Sequence, residues 1–525
     1  MRQPFLLGLI LVLLISCDLQ KSSDSHTPPA KPKYSEAYRA PFYQNQDRIQ
    51  KVVDKSSKIH DLVEELAKDR KIPGVSYGVV VDDSLVIASS TGMINLEKEL
   101  PASTTSCFRI ASMTKSFTAM AIIQLRDEGK LSLEDPISKY IPETSDLTYL
   151  TADAPPIDIQ NLLTMTAGFP EDNPWGDRQL DEQDEMLMNM MTTGVAFSNT
   201  PSFTYEYSNT GYALLGNIIS RVSGIPYQEY IRQNILHPLG MYDTYWEYDK
   251  IPEDQLAIGY RWEDEEWKLE PILHDGSFGA MGGLITTITD FSKYVSFHLS
   301  AWPPRNDPEQ GPVKRSSIRE MHTPQFSRLL ARARDYNKET CPMITGYGYG
   351  LGINQDCKGI RRVRHGGALP GFGSNYIVYP DYGIGIMAFG NLTYTGPLPS
   401  TDMEKLIFET VGIEPRKLPA SDILQQRQKQ ITEMIQSWNP QLESEILAEN
   451  FYPDQSRERR ISEIKNTLEK AGDIQSVEDI EPFNQLRGVY NLIAENGKVR
   501  VYFTLSPEKD PKVQHLRVSF EPTLN

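Results

Sequence analysis

Ser112-Met-Thr-Lys115 is the segment of this 525-residue chain best equipped for chemistry. A serine three residues ahead of a lysine on a helix shares its face, which brings hydroxyl and amine within reach of each other. A serine hydroxyl is a weak nucleophile until a base takes its proton. A lysine amine serves as that base, or assists one, once burial and positive surroundings lower its pKa from about 10.4. A second segment, Tyr207-Ser208-Asn209, precedes an apolar helical pattern over residues 212–222. Its phenol becomes a base where cations stabilise the phenolate, and the Asn209 amide suits holding the lysine or a substrate carbonyl. A third, His365-Gly366-Gly367-Ala368, ends a strand pattern. Two glycines admit a substrate close to a strand edge. A backbone N–H there pairs with that of Ser112 as an oxyanion hole. Each pattern alone is weak: Ser-x-x-Lys recurs at Ser462 and Ser506, and Tyr-x-Asn at Tyr43.

In order and spacing the three together are specific. Ser112-x-x-Lys115, then Tyr207-x-Asn209 95 residues on, then His365-Gly-Gly 158 residues beyond, resembles the serine β-lactamase and penicillin-binding protein superfamily. The nearer likeness is to its class C β-lactamase-related branch. Asp158–Pro170, Gly279-Ala-Met-Gly-Gly-Leu-Ile-Thr-Thr287, Tyr347-Gly-Tyr-Gly-Leu-Gly352 and His365–Gly373 extend the resemblance over about residues 51–412. It implies an α+β sandwich of the β-lactamase/DD-peptidase kind: an antiparallel sheet flanked by helices, a helical lobe, and the site between them. It implies that Ser112 is acylated and that Lys115 and Tyr207 share the base role. Asn209, His365, Gly366, Gly367 and Ala368 bind substrate, and the N–H groups of Ser112 and Ala368 hold the oxyanion. One departure matters. Lactamases of this branch usually carry Lys-Thr-Gly where this chain has His365-Gly366-Gly367. A histidine with an ordinary pKa near 6.5 is mostly neutral at pH 7, and Gly366 offers no hydroxyl. The expectation therefore moves from β-lactams to a peptide, amide or ester. The implied enzyme is of D-aminopeptidase, DD-carboxypeptidase or esterase type. Two other readings stand beside it, a true β-lactamase and a non-catalytic penicillin-sensor-like binding protein.

The elements that must position these groups are partly legible. Apolar spacing predicts a helix over residues 54–70 and a mostly buried one over 108–125, capped at Gly129. Strands are expected at 74–81 and 85–89, and again at 347–354, 360–365, 374–379 and 384–391. Strands at both ends of a helical middle imply one sheet closed by both ends of the chain. Cys341 and Cys357 flank the 347–354 run, and eight extended residues span about 26 Å. They are therefore expected to lie too far apart for a disulfide. Cys107 reads as a small buried hydrophobe.

Composition bounds the rest. Lys and Arg number 53 against 70 Asp and Glu, a formal net charge of −17. So acidic a surface repels phosphate backbones, which argues against nucleic-acid binding. No metal-ligand spacing such as H-E-x-x-H occurs, and no cofactor is expected. Residues 1–17 read as a signal peptide whose Leu14-Ile15-Ser16-Cys17 resembles the bacterial lipobox, with Cys17 lipidated. Residues 18–50 read as a flexible tether. The expected location is the bacterial cell envelope, with the membrane as a partner through the N-terminal lipid. Residues 417–525 read as a small α+β accessory domain with a hairpin at Glu495-Asn496-Gly497. It has a structural or docking role, and its protein partner is unknown.

Overall fold

The structure, a computed structural model, describes residues 33–523. The signal peptide and Cys17 lie outside the described residues. Residues 33–38 hold a turn in which the Tyr38 N–H donates to the Ser35 carbonyl, and a compact unit begins at Arg39.

The apolar run Gly74–Val81 forms β1, buried along its whole length. Such a strand needs cover on both faces. On one face Val75, Tyr77, Val79 and Val81 share a core with Val52 of α1 (Arg48–Val53) and with Ile59 and Val63 of α2 (Ser56–Asp69). On the other, Val80 belongs to the larger core shared with the helical lobe. β1 stands in a nine-stranded antiparallel sheet. The other members are β2 (Ser84–Asn95), β3 (Leu100–Pro101), β4 (Gln325–Leu330), β5 (Met343–Tyr347), β6 (Gly352–Asp356), β7 (Arg361–Leu369), β8 (Phe372–Tyr379) and β9 (Ile384–Gly390). Their spatial order is β3-β2-β1-β9-β8-β7-β6-β5-β4. Val75 faces Gly390 and Val81 faces Ile384, so both ends of the chain close one sheet.

Between β3 and β4 the chain builds the helical lobe, which includes α3 (Lys115–Asp127), α4 (Ile159–Leu163), α5 (Asp184–Thr193) and α6 (Asn209–Ser223). α3 is buried on nearly every side, as an all-round apolar helix must be. Gly129, at φ +74°, lies just past its end in the left-handed conformation. Phe117 of α3 stacks on Tyr294 with ring centroids 3.9 Å apart. Each side chain of that size contributes roughly 1.5–3 kcal/mol on burial. A row of them offsets the cost of enclosing one lysine at the head of the helix.

Three expectations are corrected. The 347–354 run is not one strand. β5 ends at Tyr347, the chain reverses with the Gly348 N–H donating to the Leu351 carbonyl, and β6 returns. Gly350 makes the reversal possible at φ +68°, a conformation that costs glycine little. The hairpin brings Cys341 and Cys357 to its open end, where they form a disulfide with Cα atoms 5.3 Å apart. The folded body also reaches further toward the N-terminus than residue 51. Arg48 is buried and donates to both carboxylate oxygens of Asp82 at 2.8 Å. Its guanidinium and that of Arg416 lie 3.4 and 4.4 Å from the Tyr43 ring centre. Cation–π contacts do there what aliphatic burial does elsewhere, and composition does not reveal them.

Beyond residue 420 lies a second, five-stranded antiparallel sheet: β10 (Ile474–Val477), β11 (Glu481–Asn484), β12 (Arg487–Ala494), β13 (Gly497–Leu505) and β14 (Val513–Pro522). β12 and β13 are joined at Glu495-Asn496. This sheet shares its own apolar cluster with the helices Asp422–Ser437 and Arg457–Ala471.

Candidate active site

Ser112 sits in a single 3-10 turn, Ala111–Thr114, that leads directly into α3. The turn is held from several sides. The Ile110 N–H donates to the Leu284 carbonyl at 2.9 Å, and the Leu284 N–H donates to the Thr114 hydroxyl at 3.1 Å. The Ser374 hydroxyl of β8 donates to the Ile110 carbonyl at 2.8 Å. Ala111 takes φ +50°, a conformation costing a non-glycine residue about 1–3 kcal/mol, and these bonds over-determine it.

Lys115 is fully buried. Its Nζ lies 3.0 Å from Ser112 Oγ, 2.7 Å from Asn209 Oδ1 and 2.9 Å from the Met281 carbonyl oxygen. The amine donates to all three oxygens. Once deprotonated it can keep its two N–H bonds to the carbonyl oxygens and turn its lone pair to the serine hydroxyl. Burial draws the Lys115 pKa down to about 7, against the opposing pull of the Asp177 and Asp172 carboxylates. A sizeable share of such lysines is neutral at pH 7, against roughly one in 2,500 for an ordinary lysine.

Asn209 opens α6, capped by Ser208. Asp172 holds that helix end: it accepts the Asn209 N–H at 2.6 Å and the Thr210 N–H and hydroxyl at 2.8 Å. The Asn209 Nδ2 donates to Asn173 Oδ1 at 2.6 Å, which fixes the amide with its oxygen toward Lys115.

Tyr207 is placed over this group, its ring centre 4.9 Å from Lys115 Nζ. Burial pushes its phenol well above the usual tyrosine range, and the Ser112 hydroxyl bonded to it only partly opposes this. The phenolate form expected from the sequence is therefore disfavoured. The lysine is the group that loses its proton near neutrality.

His365 and the residues after it lie inside β7, not at a strand end. Pairing with β6 stops at Arg364 opposite Gly352, while pairing with β8 continues to Leu369. One edge of the 365–369 segment is thereby left uncovered by β6. A Cβ on Gly367 would come 2.1 Å from the Ile110 carbonyl oxygen and 2.3 Å from Ser374 Oγ, so only glycine fits. Gly366 is looser, its nearest neighbour being the Asn375 amide nitrogen at 2.9 Å. Ala368 lies opposite Gly373 of β8. His365 Nδ1 donates to the Gly366 carbonyl at 2.6 Å, which leaves Nε2 to accept the Tyr347 hydroxyl at 2.9 Å. Burial and the nearby Lys115 hold its pKa well below the ordinary histidine value, so the ring is neutral. A cleft of about 710 Å³ opens on Tyr207, His365 and Gly366. Ser112 is not part of its wall and keeps 8% of its surface exposed.

The family model described as Beta-lactamase matches residues 59–408. The chain belongs to the beta-lactamase family. This is a family of serine hydrolases, and the beta-lactamase fold is borne out by solved structures. An octameric penicillin-binding protein homologue from Pyrococcus abyssi superposes with a TM-score of 0.56 at 23% identity. That match covers 89% of this chain and 98% of the other. A penicillin-binding protein from Bacillus halodurans gives 0.50 at 24% identity, covering 66% and 98%. Among curated relatives, Beta-lactamase-like protein 2 of Dictyostelium discoideum is 30% identical over 52% of this chain and 50% of its own length. Protein flp of Staphylococcus aureus is 27% identical over 65% and 63%. The match thus spans about half to two thirds of these relatives.

Within this beta-lactamase fold, the residues singled out from the sequence converge: Ser112, Lys115, Tyr207 and Asn209, with His365-Gly366-Gly367-Ala368 beside them. Three contributors were not foreseen. The Met281 carbonyl is a backbone atom and carries no residue-type signal, although its Gly279–Thr287 string was noted. Asp172 and Asp177 come from a loop whose turn-forming Asp172-Asn-Pro-Trp-Gly-Asp177 composition marks a fixed conformation. That composition says nothing of where the acids point.

Proposed function

We propose that this chain is a serine hydrolase that acts through an acyl-enzyme on Ser112, on a peptide, amide or ester. The observation that carries this reading is the Lys115 amine held between the Ser112 hydroxyl and two carbonyl oxygens. In the proposed cycle the neutral amine takes the serine proton as Oγ attacks the substrate carbonyl. The N–H groups of Ser112 and Ala368 hold the resulting oxyanion. Tyr207, protonated at rest, passes its proton to the leaving group and recovers one from the lysine. Water then enters by the reverse route to release the acyl group. No step needs a cofactor. The neutral His365 and the absent hydroxyl at Gly366 support the preference for peptides, amides or esters over β-lactams.

The protein is proposed to act at the bacterial cell envelope, anchored through a lipid on Cys17. The Cys341–Cys357 disulfide supports a compartment outside the reducing cytosol. The test is intact mass after exposure to a fluorophosphonate and, separately, to a penicillin, with Ser112→Ala alongside. An adduct on the wild type and none on the variant is expected. Labelling by the fluorophosphonate alone selects esterase or amidase chemistry, and labelling by both keeps cell-wall peptides in range. No adduct from either would overturn the hydrolase in favour of a binding protein.

A further inference from the structure

The second sheet has one face covered and one open. Leu492, Val499 and Phe503 turn into the apolar cluster shared with its two helices. Alternation sends Lys498, Arg500 and Tyr502 of β13 to the other side, and the register puts Arg487 of β12 and Arg517 of β14 there with them. All three arginines are exposed. Among the described residues the guanidiniums of Arg500 and Arg517 make no hydrogen bond or ion pair, and Arg487 lies 5.7 Å from the Phe483 ring centre. Rings cross the same face: Phe483 and Tyr502 lie 6.2 Å apart, Tyr502 and His515 6.0 Å. The acids on this side stand at its margins. Glu478 is taken by Lys498 at 3.1 Å and Asn491 at 2.8 Å, Glu521 ends β14 opposite Lys498, and Glu481 lies on β11 at the edge. Three arginines left free around a row of rings are unusual in a chain with 70 acids to 53 bases. The chain that leads back to Cys17 departs beside this sheet. The Phe42 and Lys417 N–H groups donate to each other's carbonyls at 3.1 and 2.9 Å, and Arg39 lies 4.0 Å from Asp422. The neighbouring Ser421 hydroxyl donates to the Gln485 carbonyl at 2.7 Å, two residues before Arg487. From Cys17 to Arg39 is 39 − 17 = 22 residues, a reach of at most about 75 Å.

Taking the lipid on Cys17 as its basis, and not the chemistry of Ser112, we propose that the open face of β12, β13 and β14 docks on an anionic lipid bilayer. Arg487, Arg500 and Arg517 pair with lipid phosphates, which the guanidinium fork suits, and the Tyr502 and Phe483 rings settle at headgroup level. Rings and arginines on a sheet face also suit single-stranded nucleic acid. The membrane is favoured because a soluble polyanion must approach against a net charge of −17. A bilayer that holds the same chain by its lipid is already at high effective concentration, so three arginines suffice to turn this face toward it.

The test is sedimentation of the chain from residue 18, which keeps the whole described body and lacks the lipid, with vesicles of phosphatidylcholine alone or mixed with phosphatidylglycerol. Binding to the anionic vesicles should exceed binding to the neutral ones by at least about tenfold, and added salt should shrink the ratio. Arg487→Ala, Arg500→Ala and Arg517→Ala should each weaken anionic binding about fivefold, the effect of one basic residue at such a surface. Lys429→Ala, on the helix that covers the other face, should leave it unchanged. These exposed sites should also leave the melting temperature unchanged. Equal binding to both vesicles, or an anionic preference unmoved when all three arginines are replaced, overturns the surface. Retention of oligothymidylate without binding to vesicles assigns the face to nucleic acid and overturns it as well. The mass of the chain expressed with its leader in a bacterium reads the Cys17 lipid separately. A chain without lipid that still prefers anionic vesicles supports the surface and removes the anchor. A lipidated chain whose unlipidated form ignores both vesicles keeps the anchor and overturns the surface.

Discussion

In the proposed hydrolase the chemistry turns on Lys115, because its surroundings settle its charge. Its amine is a base only above about pH 7, so the acid limb of kcat/KM should bend near that value. Asp177 is buried, with one carboxylate oxygen unpartnered, and its field holds the lysine proton on. Asp177→Asn should therefore lower the lysine pKa and move the acid limb to lower pH, read from the pH profile against a neutral ester. A shift to higher pH would contradict this placement. The sequence disclosed the reacting side chains because their types and order are rare together. It did not disclose the sign of the tyrosine's shift, since cations beside a phenol and burial of that phenol act in opposite directions. Which of the two dominates depends on packing. Asp177 was illegible for the same reason: an acid in a loop reads as solvated until the fold encloses it.

At the scale of elements, the Ser112 turn and β7 meet at a glycine. Gly367→Ala would drive a methyl into the Ile110 carbonyl, and overpacking of this kind costs about 1–3 kcal/mol. The expected outcome is loss of fluorophosphonate labelling with a lower melting temperature. Gly366→Ala meets the end of the Asn375 side chain instead of backbone, and should keep labelling within about tenfold by the same scale. Equal damage from both would contradict the packing. Most strands were legible from apolar runs between turn residues. The hairpin of β5 and β6 was not, because its aromatic residues read as strand. The glycines at 348, 350 and 352 were the turn signal. Likewise the Ser112 segment is a strand pair at Phe108–Arg109, a 3-10 turn and then a helix, where apolar periodicity sees one helix.

At the scale of the molecule, stability should depend on acid through one buried pair. His298 and His322 are both enclosed, 2.8 Å apart from Nδ1 to Nε2, and Trp302 donates to the far nitrogen of His322 at 3.0 Å. Burial holds both pKa values well below 6.5, His298 at about 3. The unfolded chain binds the extra protons, so this contribution is whole above about pH 6.5 and is lost as pH falls toward the folded values. Each histidine adds about 1.4 kcal/mol per pH unit in that window. Urea unfolding of His298→Gln at pH 5 and 6 should show a slope flatter by that amount, and an unchanged slope would refute it. The net charge was legible at once, whereas a histidine pair 24 residues apart was not, since only the fold joins its members.

The disulfide closes the base of the β5–β6 hairpin, and the tip of that hairpin rests on α3 at Lys115. A Cβ on Gly350 would come 2.7 Å from the Lys115 carbonyl oxygen, and Tyr347 between tip and base anchors His365. A loop of this length stabilises by about 3 kcal/mol when crosslinked. If the proposed hydrolase is right, oxidation state should set how firmly this hairpin is held against the Ser112–Lys115 segment. Two batches of the same polypeptide, one ripened in an oxidising compartment and one drawn from a reducing cytosol, would be different reagents. Dithiothreitol should slow the first toward the second, and a batch indifferent to it would show that the staple and the site are uncoupled.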